Sequence, residues 1–127
     1  MKTIFTEEAP APAGHYSQAV VSSSLVFVSG TLPSTKAPEG PPPGFEDQVR
    51  AVLTHCECIL ASAGCRLDDV VQCTAYVVGI DNWPCFNRVY GERFGAHRPA
   101  RAVVPVPELH HGFLIEVQMT AALPGKC

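Results

Sequence analysis

Two segments of this 127-residue chain have a helical period, and each carries a single apolar stripe; that pairing limits what the rest can build. From Phe45 to Ala63 the apolar positions are Phe45, Val49, Val52, Leu53, Cys56, Ile59, Leu60 and Ala63, the spacing of one buried helix face, with Gly64 as the stop. The second segment starts at Asp81 or Asn82, either of which suits a helix cap, and tolerates Pro84 in its first turn. Phe86, Val89, Tyr90 and Phe94 form its stripe and Gly95 ends it. Strand-like runs surround the two helices: residues 1–6, Tyr16–Val21, Leu25–Val28, Val70–Val78, Arg101–Pro107 and Phe113–Met119. Ser22-Ser23-Ser24 reads as a hairpin turn, and Pro33, Pro38 and Pro41 to Pro43 make the stretch from Thr31 to Gly44 a stiff loop. Two one-striped helices cannot cover both faces of six strands. Both should pack on one face, giving an α+β sandwich in a single domain over residues 1–127. In Val70–Val78, Val71, Cys73, Ala75 and Val77 are assigned to the core, which leaves Gln72 and Tyr76, with Glu116 and Gln118, on an open face. A charged content of only 17% suits a face covered by copies of the same chain.

Composition removes several functions. A formal charge of −3, with Lys and Arg scattered, supplies no basic field for nucleic acid. No apolar run approaches the roughly 18 residues that span a bilayer, and the start has no secretory apolar segment. A cytoplasmic location is expected, with an organellar address left open, and neither a nucleic-acid nor a membrane partner. The six cysteines contain no C-x-x-C pair, and Cys56 and Cys58, two apart on a helix, point to different sides. Reduced thiols packed as small hydrophobes are expected, with no metal. His110 and His111, beside Gly112, read as a solvated turn at a hairpin tip rather than as metal ligands.

Two charges stand out in the C-terminal strands. Phe113, Ile115, Val117 and Met119 alternate onto one face, so Glu116 points to the other. A lone strand carboxylate is costly to bury without a partner or water, and Arg101 in the preceding strand is the expected partner. Arg is also the side chain best shaped to hold a small carboxylate through two parallel hydrogen bonds. By itself Arg101 is more often a structural ion-pair member, and Tyr16 is as readily a packed aromatic as a pocket hydroxyl.

The linear order of motifs alters that balance. Gly14-His-Tyr-Ser-Gln-Ala-Val20, Leu25-Val-Phe-Val-Ser-Gly-Thr-Leu-Pro33, Asp81-Asn-Trp83, Phe86-Asn-Arg-Val-Tyr90, Arg98-Pro-Ala-Arg101 and Ile115-Glu116 together resemble the RidA/YjgF reactive intermediate deaminase family over nearly the whole chain. The resemblance implies a chorismate-mutase-like, six-stranded mixed sheet with two helices on one face. It also implies a homotrimer with clefts where subunits meet, and hydrolysis of enamines and imines of 2-amino acids without a cofactor. On this resemblance Arg101 is the carboxylate-binding residue, Glu116 handles water, and Tyr16 is a pocket hydroxyl. Gly30 and Val103 contribute backbone groups, and Asn87 lines the pocket. His15 stands where the family commonly has proline, Val103 where cysteine is frequent, and Pro105 and Pro107 remove two backbone donors after Arg101.

The expected chemistry is hydrolysis of 2-aminoacrylate or 2-iminobutanoate to a 2-oxo acid and ammonia. Arg101 holds the carboxylate, and Glu116 takes a proton from water and helps return one to nitrogen. Two other readings stay open. One is a pathway-specific member acting on a 2-aminomuconate-like or secondary-metabolite intermediate. The other is a non-catalytic trimer that binds small carboxylates or acts as a chaperone.

Overall fold

A computed structural model describes residues 1–35 and 44–125. Most of the stiff loop expected between Thr31 and Gly44, including Pro38 and Pro41 to Pro43, lies outside the described residues, as does Cys127. The strands are β1 (Lys2–Ile4), β2 (Ala19–Ser22), β3 (Leu25–Thr31), β4 (Val70–Val78), β5 (Ala100–Val106) and β6 (Ile115–Ala122), and the helices are α1 (Phe45–Ser62) and α2 (Trp83–Phe94). The sheet order is β1-β2-β3-β6-β4-β5. Only β4 and β5 are parallel, joined through α2; the remaining pairs are antiparallel, so the sheet is mixed. The sequence of elements matches the expected α+β order.

The helices form where their stripes place them. Val49, Val52, Leu53, Cys56, Ile59 and Leu60 of α1 are buried against the sheet, and Phe86, Val89, Tyr90 and Phe94 of α2 join the same core. Full burial of a side chain such as Leu53 or Ile59 contributes about 1.5–3 kcal/mol. Helix α1 ends in a Schellman motif: Cys65 N–H donates to Leu60 O at 2.9 Å and Gly64 N–H to Ala61 O at 3.0 Å. That geometry puts Gly64 at φ +85°, where a Cβ is disfavoured, and buries Cys65 beside Leu60. The serine turn also forms: Ser22 pairs with Leu25, and Ser23 takes φ 55°.

Four expectations change. The strand expected from Tyr16 begins only at Ala19, because residues 13–16 are a series of bends in which Tyr16 N–H donates to Gly14 O at 3.0 Å. His15 therefore has no strand face. Val71 is 46% exposed rather than buried: the β4–β6 ladder shifts register between Val70 and Gln72, and Val70 takes the core position. Asn82 takes the N-cap position of α2 as expected but makes no side-chain capping bond; its amide instead donates to Val78 O at 2.9 Å, bracing the turn out of β4. Finally, His110 and His111 are not at a hairpin tip, since β4 lies between β5 and β6 and the connection crosses its end. No helix among the described residues is long and apolar enough to cross a membrane.

Candidate functional site

Strand β6 points Ile115, Val117 and Met119 into the core and Glu116 and Gln118 to the open face. Tyr76 stands opposite Glu116 in the ladder, and its hydroxyl donates to Gln118 Oε1 at 3.5 Å, so the expected open face is assembled. On the other side of β6, strand β3 is irregular. Val28 pairs with Met119 and Thr31 with Val117, which leaves one extra residue in β3 around Ser29 and Gly30. The irregularity brings the Gly30 backbone under the Glu116 carboxylate. A Cβ on Gly30 would overlap Glu116 Oε2 and stand 3.3 Å from its Cδ, so only glycine permits this approach. Ser29 is held by its hydroxyl, which donates to Ser17 O at 2.6 Å, and by its N–H, which donates to Gln18 O at 3.0 Å.

Glu116 and Gly30 thus sit in a groove of about 510 Å³ that is also lined by Tyr16, Ser29, Leu32, His110 and His111. Tyr16 is half-exposed at its rim, and Ala13 N–H makes a long 3.4 Å contact to its hydroxyl oxygen. His111 adopts φ 60°, a left-handed turn that lets the segment before β6 fold back over the groove. The two histidines are exposed as expected, but they border the groove, a placement that their sequence spacing does not reveal. Among the described residues Glu116 has no cationic partner.

Arg101 lies elsewhere. In the parallel ladder it stands beside Cys73, whose side chain is in the core, so Arg101 is on the helix side of the sheet. Its Cζ is 4.9 Å from the Tyr90 ring centroid and 5.7 Å from that of Phe86, and its Nη1 donates to Asn87 Oδ1 at 3.0 Å. The α2 spacing makes this platform: Phe86, Tyr90 and Phe94 stack one turn apart, with centroids 5.3 and 4.4 Å apart, and Asn87 follows on the exposed side. Burial pushes the Cys73 thiol up to about 12, although the Tyr90 hydroxyl and the Arg101 charge draw it partly back. Burial, and the thiol beside it, raise Tyr90 as well, and its hydroxyl lacks a well-formed hydrogen bond. Both groups stay protonated and serve as packing beneath Arg101. Burial likewise raises Cys56, which suits thiols that behave as small hydrophobes. Arg101 and Asn87 line a second groove of about 650 Å³ with Tyr90, His97 and Arg98.

The two charges are therefore not an ion pair within one chain. Strand β4 separates β5 from β6, and Arg101 and Glu116 project from opposite faces of the sheet. Tyr16, Gly30 and Glu116 share one groove, and Arg101 and Asn87 share the other. Val103 lines neither; its side chain packs against the core. Among the described residues no cluster of His, Cys, Asp and Glu is arranged to hold a metal ion.

The comparisons with known proteins identify the lineage of this arrangement. The family model described as Endoribonuclease L-PSP matches residues 6–123. The crystal structure of RidA from the Antarctic bacterium Psychrobacter sp. superposes with a TM-score of 0.92, at 31% identity, covering 97% of this chain and all of that one (100%). The chain belongs to the RidA/YjgF family. A RutC family protein of Pyrococcus horikoshii is 39% identical over 121 residues, 94% of this chain and 96% of that protein. The protein of Bos taurus named 2-iminobutanoate/2-iminopropanoate deaminase is 35% identical over 121 residues, 94% of this chain and 88% of that one. The mixed six-stranded sheet with two helices is thus the RidA fold, present here with both grooves.

Proposed function

We propose that the chain is a cytosolic, cofactor-independent enamine/imine deaminase, working as a homotrimer in which Arg101 of one copy faces Glu116 of the next. The observation that carries the reading is the Glu116 carboxylate, seated on Gly30 in an open groove with no cation among the described residues to neutralise it. A protein that merely bound small carboxylates would gain nothing from a free carboxylate there. Supporting it, the Arg101 fork is braced at one nitrogen by Asn87 and from below by Tyr90, which leaves its other donors for a ligand. The same geometry supports the proposed assembly: with the grooves on opposite faces, a substrate can touch both charges only between two copies. The apolar groups Phe27, Val71 and Val104, each at least 36% exposed, suit a covered surface.

Arg101 binds the substrate carboxylate and brings the C=N carbon to a water held by Glu116. The substrate reacts as the protonated imine, C=NH2+, which an enamine becomes by taking a proton on its β-carbon. Glu116 removes a proton from the water as its oxygen bonds to carbon, and the C=N electron pair moves to nitrogen. The nitrogen of the resulting carbinolamine takes up a proton. The C–N bond then breaks with its electrons leaving on ammonia, and the hydroxyl loses its proton as the 2-oxo group forms. Tyr16 and the Gly30 backbone supply hydrogen bonds around this centre. A positioned base of this kind contributes about 10²–10⁴-fold, or roughly 3–5.5 kcal/mol. The test generates 2-aminoacrylate and 2-iminobutanoate in situ and follows 2-oxo acid formation. Arg101→Ala should lose both turnover and binding of 2-oxobutanoate, whereas Glu116→Gln should lose turnover and keep binding. Wild-type rates from Arg101→Ala would refute the mechanism.

A further inference from the structure

The arginines fall into two groups. Arg50 pairs with Glu46 and Glu92, Arg88 with the same two carboxylates, Arg66 with Asp68, and Arg93 with Glu57. Arg98 and Arg101 remain, with no carboxylate partner among the described residues, and both line the same groove of about 650 Å³. Among the described residues no Asp or Glu lines that groove. In a chain of net charge −3, two unneutralised guanidinium groups in one depression form a local positive site. The backbone keeps it that way. Pro99 biases Arg98 away from helical backbone just after α2, β5 begins at Ala100, and both arginine side chains reach the one groove.

One guanidinium suffices for one carboxylate, which it can grip through two hydrogen bonds. Arg101 is already placed for that task by Asn87 and the aromatic platform. Arg98 has neither brace, and its charge serves no interaction among the described residues. Mutual repulsion between the two cations is relieved most fully by a ligand with an anion for each.

Resting on the deaminase reading of Arg101, we propose that Arg98 is a specificity-determining residue that recognises a second acidic group. The preferred substrates are then imines of dicarboxylic 2-amino acids. Arg101 takes the carboxylate beside the C=N carbon, and Arg98 takes the carboxylate at the end of the side chain. Nothing in the chemistry at the C=N carbon changes; the second ion pair acts on selection.

The experiment compares 2-iminosuccinate and 2-iminoglutarate with 2-iminobutanoate, all generated in situ by amino-acid oxidases, on the full chain and on Arg98→Gln. The wild type should favour at least one dicarboxylic imine by kcat/KM. In Arg98→Gln the dicarboxylic-to-monocarboxylic ratio of kcat/KM should fall about tenfold or more, mainly through KM, the scale of one charge-assisted hydrogen bond. Arg98→Lys, which keeps the charge, should retain part of the preference. Calorimetry provides the readout independent of turnover: 2-oxoglutarate should bind the wild type more tightly than 2-oxobutanoate, and Arg98→Gln should abolish the difference. An unchanged ratio, equal losses on both substrate types, or dissociation of the oligomer by light scattering would each overturn the proposal, the last by assigning Arg98 to subunit packing. Should the wild type hydrolyse none of the imines, the deaminase reading fails, and the calorimetry still decides whether Arg98 recognises a second anion.

Discussion

A mixed oligomer built from two inactive variants tests the geometry most directly. Arg101 and Glu116 occupy opposite faces of one sheet, so each proposed site takes its arginine from one copy and its glutamate from another. Arg101→Ala removes the carboxylate clamp and Glu116→Gln removes the base, and each alone should lower turnover by about 10²-fold or more. When the two are co-expressed in equal amounts, the arginine side of a site is intact in half of the cases, and so is the glutamate side. About one site in four is then wild type at both positions, whatever the size of the closed ring. The mixture should recover roughly a quarter of wild-type activity per site, at least 25-fold above either parent. The assay is 2-oxo acid release from 2-iminobutanoate on the unsorted mixture and, with differently tagged variants, on isolated mixed assemblies, where a mixed trimer holds one intact site in three and should recover about a third of wild-type activity per site. Light scattering on the same sample gives the number of copies, expected to be three. Activity in the isolated mixed assemblies no higher than the mean of the two parents would refute the reasoning, because a site complete within one chain cannot be restored by exchange.

Two further outcomes follow from local geometry. Gly30→Ala places a Cβ where Glu116 Oε2 lies, so turnover should fall by about tenfold or more while the circular dichroism spectrum stays that of wild type; an unchanged kcat would show that the approach of Glu116 to Gly30 is incidental. His55 Nε2 is 2.7 Å from Ser34 O while its buried Nδ1 has no partner among the described residues, and burial lowers its pKa below the ordinary 6.5, with the Ser34 carbonyl opposing. Its neutral form therefore stabilises the fold fully above pH 6.5, and that contribution is lost as pH falls from 6.5 through the lower folded value. Urea unfolding of wild type and His55→Gln between pH 8 and 5 should show the wild type losing more stability over that window (the range being about that of histidine titration); parallel curves would contradict it.

Elements whose signals are local were legible in the sequence. The stripes of α1 and α2, the Gly64 and Gly95 stops and the serine hairpin all appear where the residue pattern puts them, because helix period, left-handed glycine and turn chemistry are settled within a few residues. Alternation along β6 also gave the correct face for Glu116. Irregular backbone was not legible. The register shift that exposes Val71, the bends that take Tyr16 out of a strand and the extra residue around Gly30 depend on pairing with distant segments, not on local preference.

The relation between the two charges belongs to tertiary structure alone. Period-two alternation tells which residues of one strand share a face, but it says nothing about which strand lies beside it. Arg101 and Glu116 look like neighbours because their strands follow one another in the chain. Insertion of β4 between those strands, with β5 parallel to it and β6 antiparallel, sets Arg101 level with a core residue and Glu116 level with Tyr76 on the open face. Likewise, motif order carried the family, while the close approach of Glu116 to Gly30 and the shared groove of Arg98 and Arg101 arise only from the tertiary fold. Sheet order is a global packing solution, chosen by how two one-sided helices and six strands bury one core together, and no local stretch of residues encodes it.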